Sequence, residues 1–396
     1  MKILQINSVC GIASTGRIAV DLHNSYLSQG HESMIAFGRG QARGVAAEKV
    51  IRIGSNRNVY THALMTRITD KTGFYSKSAT RKFIESVKNY NPDVIHLHNI
   101  HGYYIDIELL FEYLIDSKKR VIWTLHDCWT FTGHCSNFDF CGCEKWRTQC
   151  EHCEQKEEYP ASYFLDNSVY NYRKKKELFS ALEDLTIVTP SKWLLSKVSE
   201  SFLGKKRAVV INNGIDLDVF INRESSFREK HKLADKFVIL GASINWSSRK
   251  GYDTFIRLAE TVSNEFRLVL VGISKKVLKS LPKNIIGIER TNNAAELSMI
   301  YSAADVFVNP TLEDNFPTTN LEALACGTPV ITYCTGGSAE SIDETCGIAV
   351  SKNDFTGLMT AIQTAKENPY SKESCRRRSL LFDKSSKYIE YLTLYR

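Results

Sequence analysis

Short apolar runs alternate with longer amphipathic stretches along the chain. Residues Lys2–Ser8 place Ile3, Leu4 and Ile6 among polar side chains and read as a buried strand. The loop Val9-Cys10-Gly11-Ile12-Ala13-Ser14-Thr15-Gly16 leads into a helix carrying Ile18, Val20, Leu22, Tyr26 and Leu27, and Gly30 stands where a helix ends. Glu32–Phe37, Asp93–His98, Arg120–His126 and Leu185–Val188 read as further strands. Asn213-Gly214-Ile215-Asp216 is a turn signal, after which the alternation restarts. Phe237–Gly241, Phe266–Gly272, Asn284–Ile288, Val306–Asn309, Pro329–Tyr333 and Gly347–Val350 predict strands, with helices over Tyr252–Val262, Ala294–Ala303 and Thr318–Cys326. This alternation predicts α/β layers with parallel sheets. Two doubly wound domains are expected, over 1–205 and 206–383, with an amphipathic helix over 384–396 crossing back to the first. In such folds the expected ligand site is a cleft at the carboxyl ends of the strands.

Composition narrows the class. The chain has 396 residues, 43% hydrophobic and 24% charged, which is ordinary for a two-domain globular protein. No run of about 18 apolar residues is present, so no transmembrane helix is expected. The first residues do not form a signal peptide, so the expected compartment is the reducing cytoplasm. Of eleven cysteines, Cys128, Cys135, Cys141, Cys143, Cys150 and Cys153 crowd into one insert. In that compartment they are thiols or metal ligands rather than a disulfide framework. The two-residue gap of Cys150-Glu151-His152-Cys153 fits a tetrahedral zinc site, which Cys135 and Cys143 would complete, or His134 in place of one. Such zinc would be structural, because four protein ligands leave no open position. Packed reduced thiols are the other reading.

The segment from Pro310 to Ile331 is the richest in chemistry. Pro317 and Thr318 stand where a helix would start, Thr318 as its cap. A helix start offers unpaired N–H groups and positive dipole, which suit a diphosphate. Asp314 precedes the turn and Glu322 lies eight positions later. A carboxylate beside phosphate is unfavourable unless it binds hydroxyls, so sugar or ribose hydroxyls are its natural partners. A surface turn with two solvated acids is the plainer alternative.

With Ala323-Leu324-Ala325-Cys326-Gly327-Thr328-Pro329-Val330 following in register, the sequence resembles the retaining glycosyltransferases of family 4, over nearly the whole chain. The resemblance implies the GT-B fold, two Rossmann-like domains facing across a cleft. It implies that Glu322 holds ribose hydroxyls and that Asp314, not adjacent Glu313, holds those of the donor sugar. The backbone of Phe316, Pro317, Thr318 and Thr319 would touch sugar and phosphate. Val188-Thr189-Pro190-Ser191-Lys192-Trp193, Ala303-Ala304-Asp305-Val306-Phe307-Val308 and Thr335-Gly336-Gly337-Ser338-Ala339-Glu340 are further landmarks. The family's basic pair is an Arg and a Lys five positions apart. Lys250 fits the Lys, but Asn245 stands at the Arg, leaving a point charge where a bidentate clamp is usual. Arg249 or Arg17 would make up the charge. Ser14-Thr15-Gly16-Arg17 is similar to the family's glycine loop beneath the diphosphate. His126, ending a strand, matches the histidine at the reacting centre; a satisfied structural histidine is the alternative. His98 faces the same edge, and His96 alternates with apolar neighbours as a core residue would.

The resemblance thus implies transfer of a sugar from a nucleotide-diphosphate sugar to a hydroxyl of a glycan or lipid-linked glycan. Retention of configuration is implied, in surface-polysaccharide (capsule or exopolysaccharide) synthesis. Lys250, Asp314 and His126 would be catalytic, and no cofactor is required for the chemistry. The charge sum is +7, from 51 basic and 44 acidic residues. Runs such as Arg173-Lys174-Lys175-Lys176 and Lys205-Lys206-Arg207 predict loose attachment to an anionic membrane, at the inner face of the cytoplasmic membrane. Two other readings are a GT-B glycan synthase or phosphorylase, which lacks a lysine-anchored cofactor signature here, and a zinc-containing nucleic-acid-binding protein. Basic residues spread along the chain argue against nucleic acid as a partner.

Overall fold

Aliphatic and β-branched residues run almost unbroken through the central strands, as burial on both faces of a parallel sheet requires. The computed structural model describes residues 1–395 and divides them into two units: Met1–Asn212 with the stretch from Lys387, and Asn213–Ser386.

The first unit holds β1 (Lys2–Asn7), β2 (Glu32–Phe37), β3 (Val50–Arg52), β4 (Val94–Leu97), β5 (Arg120–Thr124), β6 (Leu185–Thr189) and β7 (Arg207–Val210). Their order is β3-β2-β1-β4-β5-β6-β7, and every pairing is parallel. The second unit holds β8 (Phe237–Ala242), β9 (Phe266–Val271), β10 (Ile285–Ile288), β11 (Val306–Asn309), β12 (Val330–Tyr333) and β13 (Gly347–Val350), in the order β10-β9-β8-β11-β12-β13, again parallel throughout. Each sheet reverses its strand order once, between β1 and β4 in the first and between β8 and β11 in the second. The chain leaves the sheet in opposite directions there, which opens a crevice beyond the carboxyl ends.

Two short edge strands depart from the expected pattern. β3 and β7 are three and four residues long and only half-buried, so they leave no apolar run to detect. β7 pairs with β6 and belongs to the first unit. The division therefore falls at Asn213, on the turn signal, and not after residue 205.

The helix Lys384–Glu390 and a following 3-10 turn, Tyr391–Thr393, lead into the first unit. Tyr388, Tyr391, Leu392, Leu394 and Tyr395 are buried there against Ile3, Ile18, Leu22 and Tyr26. Tyr395 also places its hydroxyl 2.8 Å from His96 Nδ1. Among the described residues no helix is long and apolar enough to cross a membrane.

Removing a buried aromatic leaves a cavity that its neighbours only partly fill. Tyr395→Ala should cost about 3 kcal/mol or more in urea unfolding, whereas Tyr395→Phe should cost about 1 kcal/mol. Equal stability of Tyr395→Ala and wild type would show that this stretch is not anchored.

Candidate active site

In the second unit the two segments flanking the strand reversal meet. After β8 the chain makes a 3-10 turn, Ser248–Lys250, and after β11 it runs through Pro310–Asp314. The Leu312 N–H donates to the Arg249 carbonyl at 2.8 Å. Gly251, at φ +79°, makes this approach possible: a Cβ there would lie 2.5 Å from the Pro310 carbonyl oxygen. The Lys250 ammonium pairs with the Asp314 carboxylate, and Arg249 lies 3.7 Å from Glu313. Asp314 is fixed from the other side as well. Its carbonyl accepts the Gly337 N–H, and a Cβ on Gly336 (φ +56°) would collide with that carbonyl oxygen.

The helix Thr318–Ala325 follows directly. Its N-cap is Pro317 rather than Thr318, and proline has no side chain to accept a bond from the first turn. Those N–H groups thus have no side-chain cap. Phe316 is buried against Phe382, and its carbonyl accepts from Asn213 Nδ2, so this residue is core. Thr319 lies in the first turn, and Glu322, 4% exposed, accepts from the Tyr301 hydroxyl at 3.0 Å. Asn245 is exposed and lines a separate cleft of about 260 Å³ with Ile244, Trp246, Gly272, Ile273 and Glu289, at the carboxyl ends of β8, β9 and β10.

In the first unit the corresponding edge carries a row of imidazoles. Gln5 on β1 donates through Nε2 to the Ala19 carbonyl at 3.0 Å, which leaves its Oε1 to accept from His98 Nε2 at 3.0 Å. His98 Nδ1 must then accept, so the 3.1 Å contact with His126 is donated by His126 Nε2–H. A neutral His126 consequently keeps its Nδ1 unprotonated, as an acceptor. His96 stacks on His98 at 4.2 Å and is bonded to Thr124 and Tyr395, a satisfied core histidine. Beside His126, Asp127 accepts from His101 Nε2 at 2.8 Å and from the Trp129 N–H, and His101 in turn meets the Tyr159 hydroxyl. Gln5 and Tyr159 were not singled out by sequence; the one signal was a glutamine among the apolar residues Ile3, Leu4 and Ile6.

Burial governs protonation along this row. Desolvation lowers His126 to about 4 and His96 to about 3, and holds His98 well below the usual histidine range. Gly16 and Arg17 sit not in a loop but in the first turns of the helix Ala13–Ser28, which starts earlier than its glycine suggests. Gly16 is buried and its carbonyl accepts the Gly11 N–H, while Arg17 is exposed.

The cysteine insert packs below this edge. No disulfide joins the eleven cysteines. Cys135 and Cys153 share a thiol–thiol hydrogen bond that lowers Cys153 to about 7, and burial pushes Cys150 up to about 12. Cys143 and Cys150 pack on the core. His134 Nδ1 is bonded to buried Asp70. Among the described residues, no three His, Cys, Asp or Glu side chains are grouped so as to hold a metal ion. The basic run next to the insert is only in part a solvated face: Arg173 and Lys176 are exposed, but Lys174 and Lys175 are not. Lys175 is fully buried, lowered to about 7 by desolvation, and donates to the Trp129 and Thr132 carbonyls. Lys174 pairs with Glu108 and Glu177, and Lys206 donates to the Leu182 carbonyl.

A family model described as Glycosyltransferase Family 4 matches residues 15–219, more than half of the chain, and one described as Glycosyl transferases group 1 matches residues 234–368. The chain belongs to glycosyltransferase family 4. This glycosyltransferase is 24% identical over 373 residues to Escherichia coli K12 WcaC, which bears the name of a colanic acid biosynthesis glycosyl transferase, covering 91% of this chain and 89% of that one. It is 29% identical over 225 residues to the Escherichia coli O-antigen biosynthesis glycosyltransferase WclY, covering 52% and 61%. Among solved structures, sucrose-phosphate synthase from Thermosynechococcus elongatus superposes with a TM-score of 0.72 at 18% identity, covering 100% and 98% of the two chains. Anabaena HepE in complex with UDP-glucose gives 0.65 at 15%, covering 99% of each. These likenesses and the two doubly wound sheets give the glycosyltransferase a GT-B fold.

The buried imidazoles of this glycosyltransferase set a sign for acid stability. His23 and His126 are lowered to about 4, and His62 and His96 to about 3, from about 6.5 in an unfolded chain. As pH falls below about 6.5 the unfolded chain binds protons that the folded one refuses, so stability is lost on the way down. His134, raised by Asp70, opposes them as a single group. Urea midpoints should fall steadily from about pH 7 to about pH 5; a flat profile would contradict neutral buried imidazoles.

Proposed function

We propose that this glycosyltransferase moves a sugar from a nucleotide-diphosphate sugar to a hydroxyl of a glycan or lipid-linked glycan, with retention of anomeric configuration, in assembly of a bacterial surface polysaccharide. The observation that carries the reading is the Lys250–Asp314 pair, which joins the segments after β8 and β11 at the strand reversal, directly before a helix start without a side-chain cap. The names of WcaC and WclY supply the polysaccharide setting, and the nucleotide sugar bound by HepE supplies the donor class.

The chemistry demands stabilisation of a departing diphosphate. Fixed positive charge and preorganised N–H groups suit that demand, because they need no reorganisation as charge develops. Lys250 supplies the charge and the first turn from Thr318 the N–H groups. When Lys250 turns to phosphate, the Asp314 carboxylate is released to accept sugar hydroxyls. Glu322, on the same helix, accepts from ribose, and the cleft at Ile244 and Trp246 takes the base. His126, at the carboxyl edge of the first sheet, is assigned to contact the donor sugar at the reacting centre. With His126 neutral and no carboxylate assigned as nucleophile, the leaving phosphate oxygen receives the acceptor's proton on the same face, which retains configuration.

Thermal-shift screening of nucleotides and nucleotide sugars identifies the donor, since a ligand at 100 times its Kd adds ~2.7 kcal/mol of stability. The anomeric configuration of the product, read by NMR, then tests the mechanism: inversion would overturn it. Lys250→Ala should lower turnover ~10²-fold or more while leaving the fold intact, if the ammonium contributes ~3 kcal/mol to the transition state. Near-normal turnover would remove Lys250 from that role.

A further inference from the structure

The turn after β4 is strained. Gly102 stands at φ +115°, and Tyr103, at φ +69°, lies in the left-handed region. A bulky side chain is rare there, and such strain persists only where surrounding contacts hold it. The turn sets His101 and Tyr103 against Tyr159. His101 is buried, with Nε2 2.8 Å from Asp127 and Nδ1 3.1 Å from the Tyr159 hydroxyl. The Tyr103 ring meets that of Tyr159 edge-on at 5.9 Å. Tyr159 itself is 41% exposed. The transfer proposed for Lys250, Asp314 and His126 makes no use of this chain, although Asp127 adjoins His126.

The direction of each bond follows from its ends. Burial works against the charge of Asp127, but His101 and the Trp129 N–H together hold its carboxyl below the usual range. An ionised carboxylate only accepts, so His101 Nε2 carries the hydrogen. In the neutral ring Nδ1 then accepts the phenol O–H. Burial pushes that phenol above its ordinary value, so Tyr159 keeps its proton. The phenol oxygen is left with lone pairs, fixed in place, for a ligand hydroxyl.

Two cations flank the tyrosines. Arg39 stands just after β2, its N–H donating to the Ser8 carbonyl at 2.8 Å. Its side chain runs past Gly102, where a Cβ would lie 3.7 Å from Arg39 Cδ. The charge of Arg39 acts on both Tyr103 and Tyr159, and that of Arg67 on Tyr103. Both arginines are exposed, and among the described residues neither is held in an ion pair. Glu157 and Glu158 precede Tyr159 and are exposed, but the charges that act on its hydroxyl are those of Arg39 and Asp127. Asp127 is already committed to His101 and the Trp129 N–H. An unanswered guanidinium beside a fixed hydroxyl acceptor fits a ligand with an anionic group next to a hydroxyl, because the fork of arginine matches carboxylate or phosphate. We propose that Arg39 and Tyr159 bind an acidic sugar, through its anionic group and a neighbouring hydroxyl, and that this sugar is the acceptor of the transfer. His101 acts through Tyr159 and is a positioning residue. The word acceptor rests on the proposed function; the binding itself does not.

The test is ligand-observed NMR on the full chain, without donor, using methyl glucuronoside, glucose 6-phosphate and methyl glucoside as probes. At least one anionic sugar should bind about tenfold or more tighter than methyl glucoside, the scale of one charge-assisted bond. Binding of the glucuronoside alone names a carboxylate, binding of the phosphate ester alone names a phosphate, and either supports the site. Arg39→Gln should remove the preference, and Tyr159→Phe should weaken the preferred sugar about fivefold. Binding lost in His101→Leu should return in His101→Gln, whose amide oxygen still accepts from the phenol. Lys250→Ala should bind the probes as wild type does, which excludes the donor pair as the place of the anion. Circular dichroism establishes that each variant folds. No binding at about 10 mM, where a Kd of ~1 mM would fill the site, overturns the proposal. So does a preference that survives Arg39→Gln, or one that is lost in Lys250→Ala instead. His101→Leu that binds like wild type removes His101 from its role. Binding involves no turnover, so its failure leaves sugar transfer standing, and a failure of sugar transfer leaves the binding standing.

Discussion

A parallel sheet covered on both faces leaves one place for polar chemistry, the edge where its strands end. Everything inward of that edge must be apolar or fully hydrogen-bonded, and both sheets obey this. The central strands are largely aliphatic, and buried polar groups among them such as Gln5, His96, Thr124 and Thr332 are bonded. Reactive groups consequently gather beyond the carboxyl ends: the imidazoles after β4 and β5, and the ion pairs after β8 and β11. The strand reversal then decides which two segments at that edge can meet.

The two edges are built by different means. In the second unit the backbones themselves come into contact, which glycine permits at Gly251 and Gly336. Positive charge is held there by pairing with carboxylates. In the first unit, side chains hold side chains. A relay of directional bonds from a backbone carbonyl through Gln5 and His98 fixes which nitrogen of His126 carries its proton. Such a relay tolerates no partial satisfaction, because an unpaired buried imidazole is costly. It therefore ties the protonation of one residue to the packing of many.

Much of this was legible from residue order. Strands of strong apolar character, such as Glu32–Phe37 and Val306–Asn309, stand where the pattern places them. Lys250 and Asp314, far apart in sequence, were each marked by motif before the structure paired them. What escaped was set by tertiary contact. β3 and β7 exist because a neighbouring strand offers an edge, not because their own residues demand it. The helix before Gly16 starts early because the loop folds back onto the Gly16 carbonyl. Lys175 looks solvated in a basic run, yet its environment is a tryptophan face and two carbonyls. Pattern cannot tell a cation in water from one in a core.

Tyr391 and Tyr395 complete the hydrogen bonding of Thr124 and His96, and His96 stacks on His98. In the order of synthesis these tyrosines leave the ribosome only after the whole second unit has been made. The first unit can therefore collapse early but cannot finish its imidazole edge until the chain returns to it. Translation thus acts as a timer: a nascent or truncated polypeptide holds an unfinished first unit, and its histidine row is assembled only when the second unit is already available.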